Sequence, residues 1–194
     1  EVTHQQLVFA GCGCAGMHAQ GERLGDALRI EIQSQYFYAV GVQQLHARFV
    51  DAVFRQDIDE FAQCFAADGV WKIAGMELAG RAAIHTAAGN LLGRCEKIQL
   101  IAQMPILDVA GDTAQGRQQM TELAKMPDGS GFITFGVYHD RYVLEDGRWR
   151  FARRHWAFKY RGPFDLSAGF VPTPDYGAFP AGPADDEETF VRKA

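Results

Sequence analysis

The chain has 194 residues, of which 47% are hydrophobic and 12% aromatic, and its net charge is −5. This length and composition favour one domain with an extension, large enough to bury a core and to line a cavity. The nearest approach to a basic cluster, at Arg148–Arg154, alternates like a strand and so divides its charges between two faces, unlike the basic footprint of a nucleic-acid-binding protein. No apolar run reaches the roughly 18–20 residues of a membrane helix. We therefore expect a cytoplasmic protein that binds neither nucleic acid nor membranes.

Three helices are predicted in the first half of the chain. The first has apolar residues at spacings of three and four, with His46 on its apolar face. Asp57 is the predicted cap of a second helix that runs to the turn at Asp68–Gly69, and a short strand follows at 70–73. Gly80 opens the third helix. The predicted helices cover residues 27–56, 57–68 and 81–92.

Strands are predicted for the second half of the domain. The Asp-Gly dipeptide at 146–147, flanked by two alternating runs, is a strong hairpin signal. Three helices followed by a four-stranded antiparallel meander give an α+β fold, with the helices packed on one face of a curved sheet. The predicted strands are Ile98–Val109, Thr113–Lys125, Phe132–Leu144 and Arg148–Tyr160.

The ends of the chain differ from its middle. Residues 1–25 are glycine-rich without periodicity and are interpreted as an irregular leader, followed by the domain at 26–160. Residues 161–194 form a proline-rich tail with an acidic run at Asp185–Glu188. We expect this tail to be irregular and to pack on the domain or on a partner subunit through Phe164, Leu166 and Phe170.

Several short motifs occur in an order that resembles a known family. They are FRQDIDEFAQCFAADGVW at 54–71, Gly80–Ile84, Gly111–Gly116, Tyr138–Tyr142 and Asp146–Trp149. Together, over about Ile30 to Tyr160, they resemble the SnoaL-like branch of the nuclear-transport-factor-2-like superfamily. The resemblance implies a cone-shaped α+β fold with an internal pocket. It leaves the activity open, because the superfamily contains dehydratases, isomerases and lyases that need no cofactor as well as plain binding proteins.

The resemblance also shows where this sequence departs from the bile-acid dehydratase type. That type has a catalytic tyrosine and aspartate on the first helix, at the positions of Phe49 and Phe54 here. Scytalone dehydratase likewise has its helix aspartate at the Phe54 position. A histidine of the dehydratase type corresponds to Gln99 or Leu100, whereas its carboxylate eight residues after a turn alanine corresponds to Glu122. The usual acid–base pair is therefore mostly replaced.

Strand alternation singles out Glu122 independently of the family. Even-numbered residues of the strand at 113–125 are the less charged set and should face the helices, because side chains alternate across a sheet. Gln118 and Glu122 lie on this face. A desolvated carboxylate has a raised pKa and serves as an acid or base near neutral pH. The alternative is a solvent-exposed glutamate paired with a surface Lys or Arg.

Three more candidates lie on the last two predicted strands. Tyr138 is placed to hold a developing oxyanion, or to be an ordinary core tyrosine. Arg154 would supply a fixed cation and Trp156 a stacking wall, whereas Asp140 is expected to pair with an arginine of the last strand. A single bulge would exchange the two faces of that strand. We assign catalysis to Glu122, Tyr138 and Arg154.

The remaining candidates are assigned to ligand binding. Phe49 and Phe54 make the helix wall apolar, which suits an aromatic or polycyclic ligand, with Gln99, Gln118 and Trp156 as further contacts. His46 is either a ligand contact or a core histidine with a satisfied ring. No His, Cys, Asp or Glu group has metal-ligand spacing, so we expect no metal and no cofactor.

Two functional hypotheses follow. One is a cofactor-free lyase, dehydratase or isomerase that acts on a hydrophobic small molecule by acid–base chemistry. The other is a non-catalytic small-molecule-binding or accessory subunit that has lost the helix aspartate. In both cases the resemblance implies a homodimer or higher homo-oligomer, paired through an outer sheet face that would carry Leu123, Val137 and Phe151.

Overall fold

The computed structural model describes residues 36–190, so the predicted leader lies outside the described residues. Chain contacts group Tyr38–Ala194 into one compact unit, and all the contacts given below lie within it. In the described part of the chain, no helix is both long and apolar enough to cross a bilayer.

Three helices and seven strands are present between residues 36 and 190. The strands form one curved, mostly antiparallel sheet in the order β2-β1-β7-β6-β5-β3, and β4 pairs with β5. Only β1 and β7 run parallel. The predicted α+β class is confirmed. The elements are α1 (residues 36–55), α2 (Ile58–Gln63), β1 (Phe65–Ile73), β2 (Met76–Ala79), α3 (Arg81–Leu92), β3 (Lys97–Ala102), β4 (Ile106–Ala110), β5 (Thr113–Lys125), β6 (Gly131–Glu145) and β7 (Arg148–Gly162).

The core lies between helix α1 and the inner face of the sheet. Val42, Leu45, Phe49 and Val53 are buried on α1 at the spacing of one helix face. Gly41 lets the helix approach the sheet closely, since a Cβ there would lie 2.5 Å from Cδ1 of Trp149. The apolar periodicity of the first helix therefore predicts its buried face correctly.

The second helix is shorter than predicted. It ends at Gln63, and β1 begins at Phe65, where the backbone pairs with Phe151 of β7. The Asp68–Gly69 turn is instead an irregularity within β1, between Phe65 and Val70. Pairing with β7 and burial of the Phe65 ring among other aromatic rings outweigh the local helical pattern.

The predicted strand at 98–109 is two strands. Residues 103–105 interrupt it, because Pro105 has no N–H to contribute to a ladder. Each half pairs with a different part of β5, so β3 and β4 lie along the same neighbour. Strand β2 was not predicted.

A bulge in β7 changes which residues face the core. Tyr142 pairs with Phe151 while Arg141 pairs with Arg153, so Ala152 is the extra residue. Phe151 and Arg154 consequently both point inward, and Phe151 is fully buried. The placement of Phe151 on the outer sheet face was therefore wrong, whereas the homo-oligomer itself stays a prediction.

The tail beyond β7 has no regular secondary structure within the described residues. It is tied to the sheet by a Val171 N–H that donates to the Lys159 carbonyl at 2.8 Å. Farther along, Arg141 Nη2 donates to both carboxylate oxygens of Asp185 at 2.9 Å. Three tail residues expected to anchor it are largely exposed, although the Phe170 ring lies 4.8 Å from that of Tyr160, so packing of the tail through these residues stays a prediction: Phe164, Leu166 and Phe170.

A buried ion pair lies at the centre of the core. Arg154 is 0% exposed, and its Nε lies 3.3 Å from Oδ1 of the equally buried Asp140. The guanidinium carbon lies 3.7–4.2 Å from the centroids of three aromatic rings, those of Tyr138, Phe151 and Phe49. Arg154 Nη2 also donates to Gln118 Oε1 at 3.1 Å. The predicted pairing of Asp140 with an arginine of the last strand is confirmed.

We expect replacement of Arg154 by leucine to destabilise the protein by about 3–5 kcal/mol, because it leaves a buried carboxylate without its counter-ion. Burial raises the pKa of Asp140 to about 6, against the opposing effects of Arg154 and Tyr142. A carboxyl whose folded pKa is raised loses stability as pH rises from its unfolded pKa through its folded pKa. Without Arg154 the pKa of Asp140 rises further. The loss of stability in Arg154→Leu, relative to the wild type, should therefore be larger at pH 8 than at pH 5.

Chemical denaturation of Arg154→Leu at these two pH values measures the effect. Arg148→Leu, an exposed site on the same strand, is the matched control and should change stability by less than about 0.5 kcal/mol. Equal losses in the two variants, or a deficit independent of pH, would contradict the role given to the ion pair.

Candidate functional site

Two of the cavities between residues 36 and 190 are lined by residues of helix α1. The first, here called the interior cavity, has a volume of about 510 Å³ and lies between the helices and the inner face of the sheet. Its polar lining residues include Arg94, Glu122, Thr134, Tyr138 and Arg161. Its walls are mainly apolar and include Phe49, Phe61, Trp71, Met120, Trp156 and Phe158.

The second, here called the helix-face cavity, has a volume of about 520 Å³ and lies between α1 and strand β3. Gln99, Leu100, Met104 and Gln118 line its sheet side. Its helix side is one stripe of α1, consisting of Gln43, His46, Ala47, Val50, Asp51 and Phe54.

The residues selected from the sequence are divided between these two cavities. Phe49, Glu122, Tyr138 and Trp156 line the interior cavity. His46, Phe54, Gln99 and Gln118 line the helix-face cavity. Arg154 lines neither, because its guanidinium is enclosed by rings and by Asp140. The selected residues therefore line two cavities rather than one, and their catalytic and binding roles stay a prediction.

Glu122 projects from β5 into the interior cavity. The even-numbered residues of β5 face inward, as the alternation predicts, and Glu122 pairs across the ladder with Thr134. The Glu122 side chain is 27% exposed. Burial raises its pKa, while Arg161 Nη1, 4.0 Å away, and the Thr134 hydroxyl, 3.4 Å away, lower it. A carboxyl in this position exchanges protons at a pH closer to neutrality than an exposed glutamate.

Trp156 forms the floor of the interior cavity between Glu122 and Tyr138. A Cβ at Gly136 would lie 2.2 Å from Cζ2 of Trp156, so the missing side chain makes room for the indole. The rings of Tyr138 and Trp156 have centroids 4.5 Å apart. Burial raises the pKa of Tyr138, which keeps its hydroxyl protonated at neutral pH. Tyr138 is therefore a hydrogen-bond donor rather than a base.

A chain of buried polar groups connects the ion pair to the helix-face cavity. The Tyr142 hydroxyl donates to Oδ2 of Asp140 at 3.2 Å and lies 2.8 Å from Nε2 of His46. Burial and the charge of Arg154 lower the pKa of His46, against a smaller opposing effect of Gln118. Tyr142 was not among the site residues selected from the sequence, although its position two residues after Asp140 puts both on the same face of the strand.

Metal binding finds no support in the described part of the chain. Between residues 36 and 190, no group of three or more His, Cys, Asp or Glu side chains is arranged to hold a metal ion. The free thiol of Cys64 is buried in the core, and burial raises its pKa to about 12, so it is not a reactive thiolate.

Solved structures support the fold. Rv3472 from Mycobacterium tuberculosis, a protein of unknown function, is 27% identical with a TM-score of 0.62, over 71% of this chain and 80% of that one. The hexachlorocyclohexane dehydrochlorinase LinA-type3 from Novosphingobium barchaimii is 19% identical with a TM-score of 0.61, over 71% and 97%. LinA is 22% identical with a TM-score of 0.63, over 71% and 96%.

No curated protein sequence matches the chain. A family model, described as the SnoaL-like domain, matches residues 39–155, which include most of α1, the helices after it and most of the sheet. This match spans more than half of the chain, and it contains most of the residues that line the two cavities. The chain therefore belongs to the SnoaL-like domain family of the nuclear-transport-factor-2-like superfamily.

Proposed function

We propose that the protein is a cofactor-independent lyase or isomerase that acts on a hydrophobic small molecule in the interior cavity. The observation that carries this proposal is a carboxyl group, Glu122, in a cavity with mainly apolar walls. Such a group removes a proton from carbon next to a carbonyl, or returns one to a leaving group, when its pKa is raised towards neutrality. Membership in a family of small-molecule-binding lyase and isomerase types supports the same reaction class.

In this proposal, Glu122 is the acid–base group and Tyr138 stabilises negative charge. The protonated Tyr138 hydroxyl donates to the oxygen on which charge develops. Arg154 is a positioning residue, because its guanidinium lies 3.7 Å from the centroid of the Tyr138 ring and does not line the cavity. Its charge favours electron density on Tyr138 without direct contact with the ligand.

The distance between Glu122 and Tyr138 indicates the size of the ligand. Glu122 pairs with Thr134, and Tyr138 lies four residues farther along β6. At about 3.3 Å per residue, their backbone positions are roughly 13 Å apart along the strand, and both side chains extend from there into the same cavity. A ligand with several fused or linked rings fills the space between these positions and brings one carbonyl within reach of both side chains. The Trp156 indole between them is a flat surface on which such a ligand stacks.

A specific observation favours the second candidate, a non-catalytic binding protein. The helix positions that carry acid–base residues in the dehydratase types are Phe49 and Phe54 here, and neither titrates. Under this alternative Glu122 only anchors a polar group of the ligand. The two candidates differ in one measurable respect, which is proton transfer to bound ligand.

Deuterium exchange next to a ketone tests proton transfer without knowledge of the leaving group. A thermal-shift screen of aromatic and steroid-like ketones first identifies compounds that bind the native state. We expect the protein to accelerate exchange in those that bind, starting with β-tetralone and a steroid ketone as probes. Glu122→Gln keeps the shape of the side chain and removes its titration, so exchange should fall by roughly 10²–10⁴-fold while binding persists.

Glu96→Gln is the matched control, because Glu96 is exposed and forms an ion pair with Lys125 outside the cavity. It should leave exchange unchanged. Ligand binding without accelerated exchange in the wild type would support the binding protein and reject the catalytic proposal. Equal exchange by Glu122→Gln and the wild type would remove Glu122 from the mechanism.

The pH dependence of exchange gives a separate prediction. Glu122 acts as a base only when ionised, and burial raises its pKa above the ordinary value of a glutamate. Exchange should therefore increase with pH through that raised pKa and level off above it. In Glu122→Asp, whose shorter side chain retreats from the cavity, the plateau should be lower. A rate that is already maximal at pH 4 would contradict the raised pKa.

A further inference from the structure

We propose that Phe190 is the gate of the interior cavity, and that an acidic residue of the tail, Asp185, holds this gate closed from the opposite face of the sheet. Among the described tail residues, only Phe190 lines the interior cavity. The inference rests on the ligand site proposed above for that cavity, but its test needs only ligand binding and no catalysis.

Residues from three connecting segments mark the mouth of the interior cavity. They are Ala74 between β1 and β2, Arg94 between α3 and β3, and Met126 between β5 and β6. Phe190 lines the cavity together with them and is partly buried against the core. Because paired strands leave no opening in a sheet, a ligand enters past such connecting segments. The Phe190 ring therefore lies where it obstructs entry.

The tail reaches this mouth by crossing the outer face of the sheet. Arg117 is an odd-numbered residue of β5, whose even-numbered residues face the core, and its Nη1 donates to the Gly177 carbonyl at 2.7 Å. Farther along, the Gly75 N–H in the turn between β1 and β2 donates to the Thr189 hydroxyl, one residue before the gate. The tail thus passes from the outer face to the mouth of the cavity.

Asp185 joins the tail to three basic residues of the outer face, and we call these contacts the tail latch. Arg141 Nη2 donates to both carboxylate oxygens of Asp185 at 2.9 Å. Lys72 Nζ donates to the Asp185 backbone carbonyl at 2.9 Å, and Arg153 donates to the same carbonyl. None of these residues lines the interior cavity. The tail latch is therefore separated from the ligand site by the sheet.

The contacts that hold the gate closed are weaker than those of the core. The stretch from Asp185 to Phe190 has no regular secondary structure. The Asp185 side chain is 69% exposed, so its ion pairs are individually weak and are screened by salt. Segments with few buried contacts open more readily than a packed core. Release of the tail latch therefore lets Phe190 leave the mouth while the sheet stays intact.

Binding kinetics distinguish a gate from an ordinary wall of the cavity. The probe is prodan, a neutral naphthyl ketone whose fluorescence reports an apolar environment, followed by stopped flow. A wall contact limits escape only, so its loss would raise koff and leave kon unchanged. A gate also limits entry. Phe190→Ala should therefore raise both rate constants, each by about tenfold, the effect of one partly buried aromatic ring.

Asp185→Asn tests the tail latch without altering the cavity. The latch stabilises the closed state equally with and without ligand, so its loss should raise kon and koff together, by about threefold, and leave Kd unchanged. An increase in salt from about 0.1 M to about 1 M should accelerate both steps in the wild type, because it screens the exposed ion pairs. Asp185→Asn should lack this response.

Two matched variants serve as controls. Asp186→Asn removes the same charge from the next residue, which forms no ion pair with any residue between 36 and 190. Phe170→Ala removes an exposed aromatic ring from the same tail, outside the cavity. Both should leave the kinetics of prodan binding unchanged.

The outcomes separate the gate from the proposed activity. An equal kon in the wild type and Phe190→Ala, or an effect of Asp186→Asn as large as that of Asp185→Asn, would overturn the gate. If Phe190→Ala fails to fold, the two rate constants of Asp185→Asn decide. Absence of prodan binding in every variant would reject the ligand site and the gate with it. Gated binding without deuterium exchange would reject the lyase or isomerase and leave the gate standing.

Discussion

The fold depends on an ion pair that is buried where most proteins place only apolar side chains. Removing the charges of Arg154 and Asp140 from water is unfavourable in free energy. This desolvation is offset by three aromatic rings around the guanidinium and by hydrogen bonds with Gln118 and Tyr142. These partners come from α1, β5, β6 and β7. The pair therefore fixes the distance between the first helix and the sheet.

The same cluster borders both cavities that helix α1 lines, because Phe49 and Tyr138 line the interior cavity and Gln118 lines the helix-face cavity. The aromatic rings around Arg154 fill the centre of the core, and space remains on each side of them. Burial shifts the pKa values of the titratable groups in the two cavities in opposite directions. It raises the pKa of Glu122 in one and lowers that of His46 in the other, because desolvation disfavours whichever form is charged. One cavity thus contains a carboxyl with a raised pKa, and the other is lined by an imidazole with a lowered pKa.

Local sequence patterns predicted which residues face inward, but not which of the two cavities each of these residues lines. The alternation of β5, the Asp146–Gly147 hairpin and the stripe of α1 all follow from periodicity and turn chemistry. The bulge at Ala152 has no such signal, yet it turns Phe151 inward and completes the cage around Arg154. His46 and Phe49 are one helical turn apart, so one wide apolar face serves two cavities. Helical periodicity identifies this apolar face, but it does not show which of its residues line which cavity.

The central claim is that the acid absent from the first helix has its counterpart in Glu122 on the sheet. The most direct test is the pKa of the Glu122 carboxyl, measured by ¹³C NMR with Glu122→Gln to assign its signal. This account predicts a single titration clearly above the ordinary glutamate value of about 4.3, and a further rise when a neutral apolar ligand enters the interior cavity. A pKa at or below that value, unchanged by ligand, would show that the carboxyl is solvated and would contradict the account.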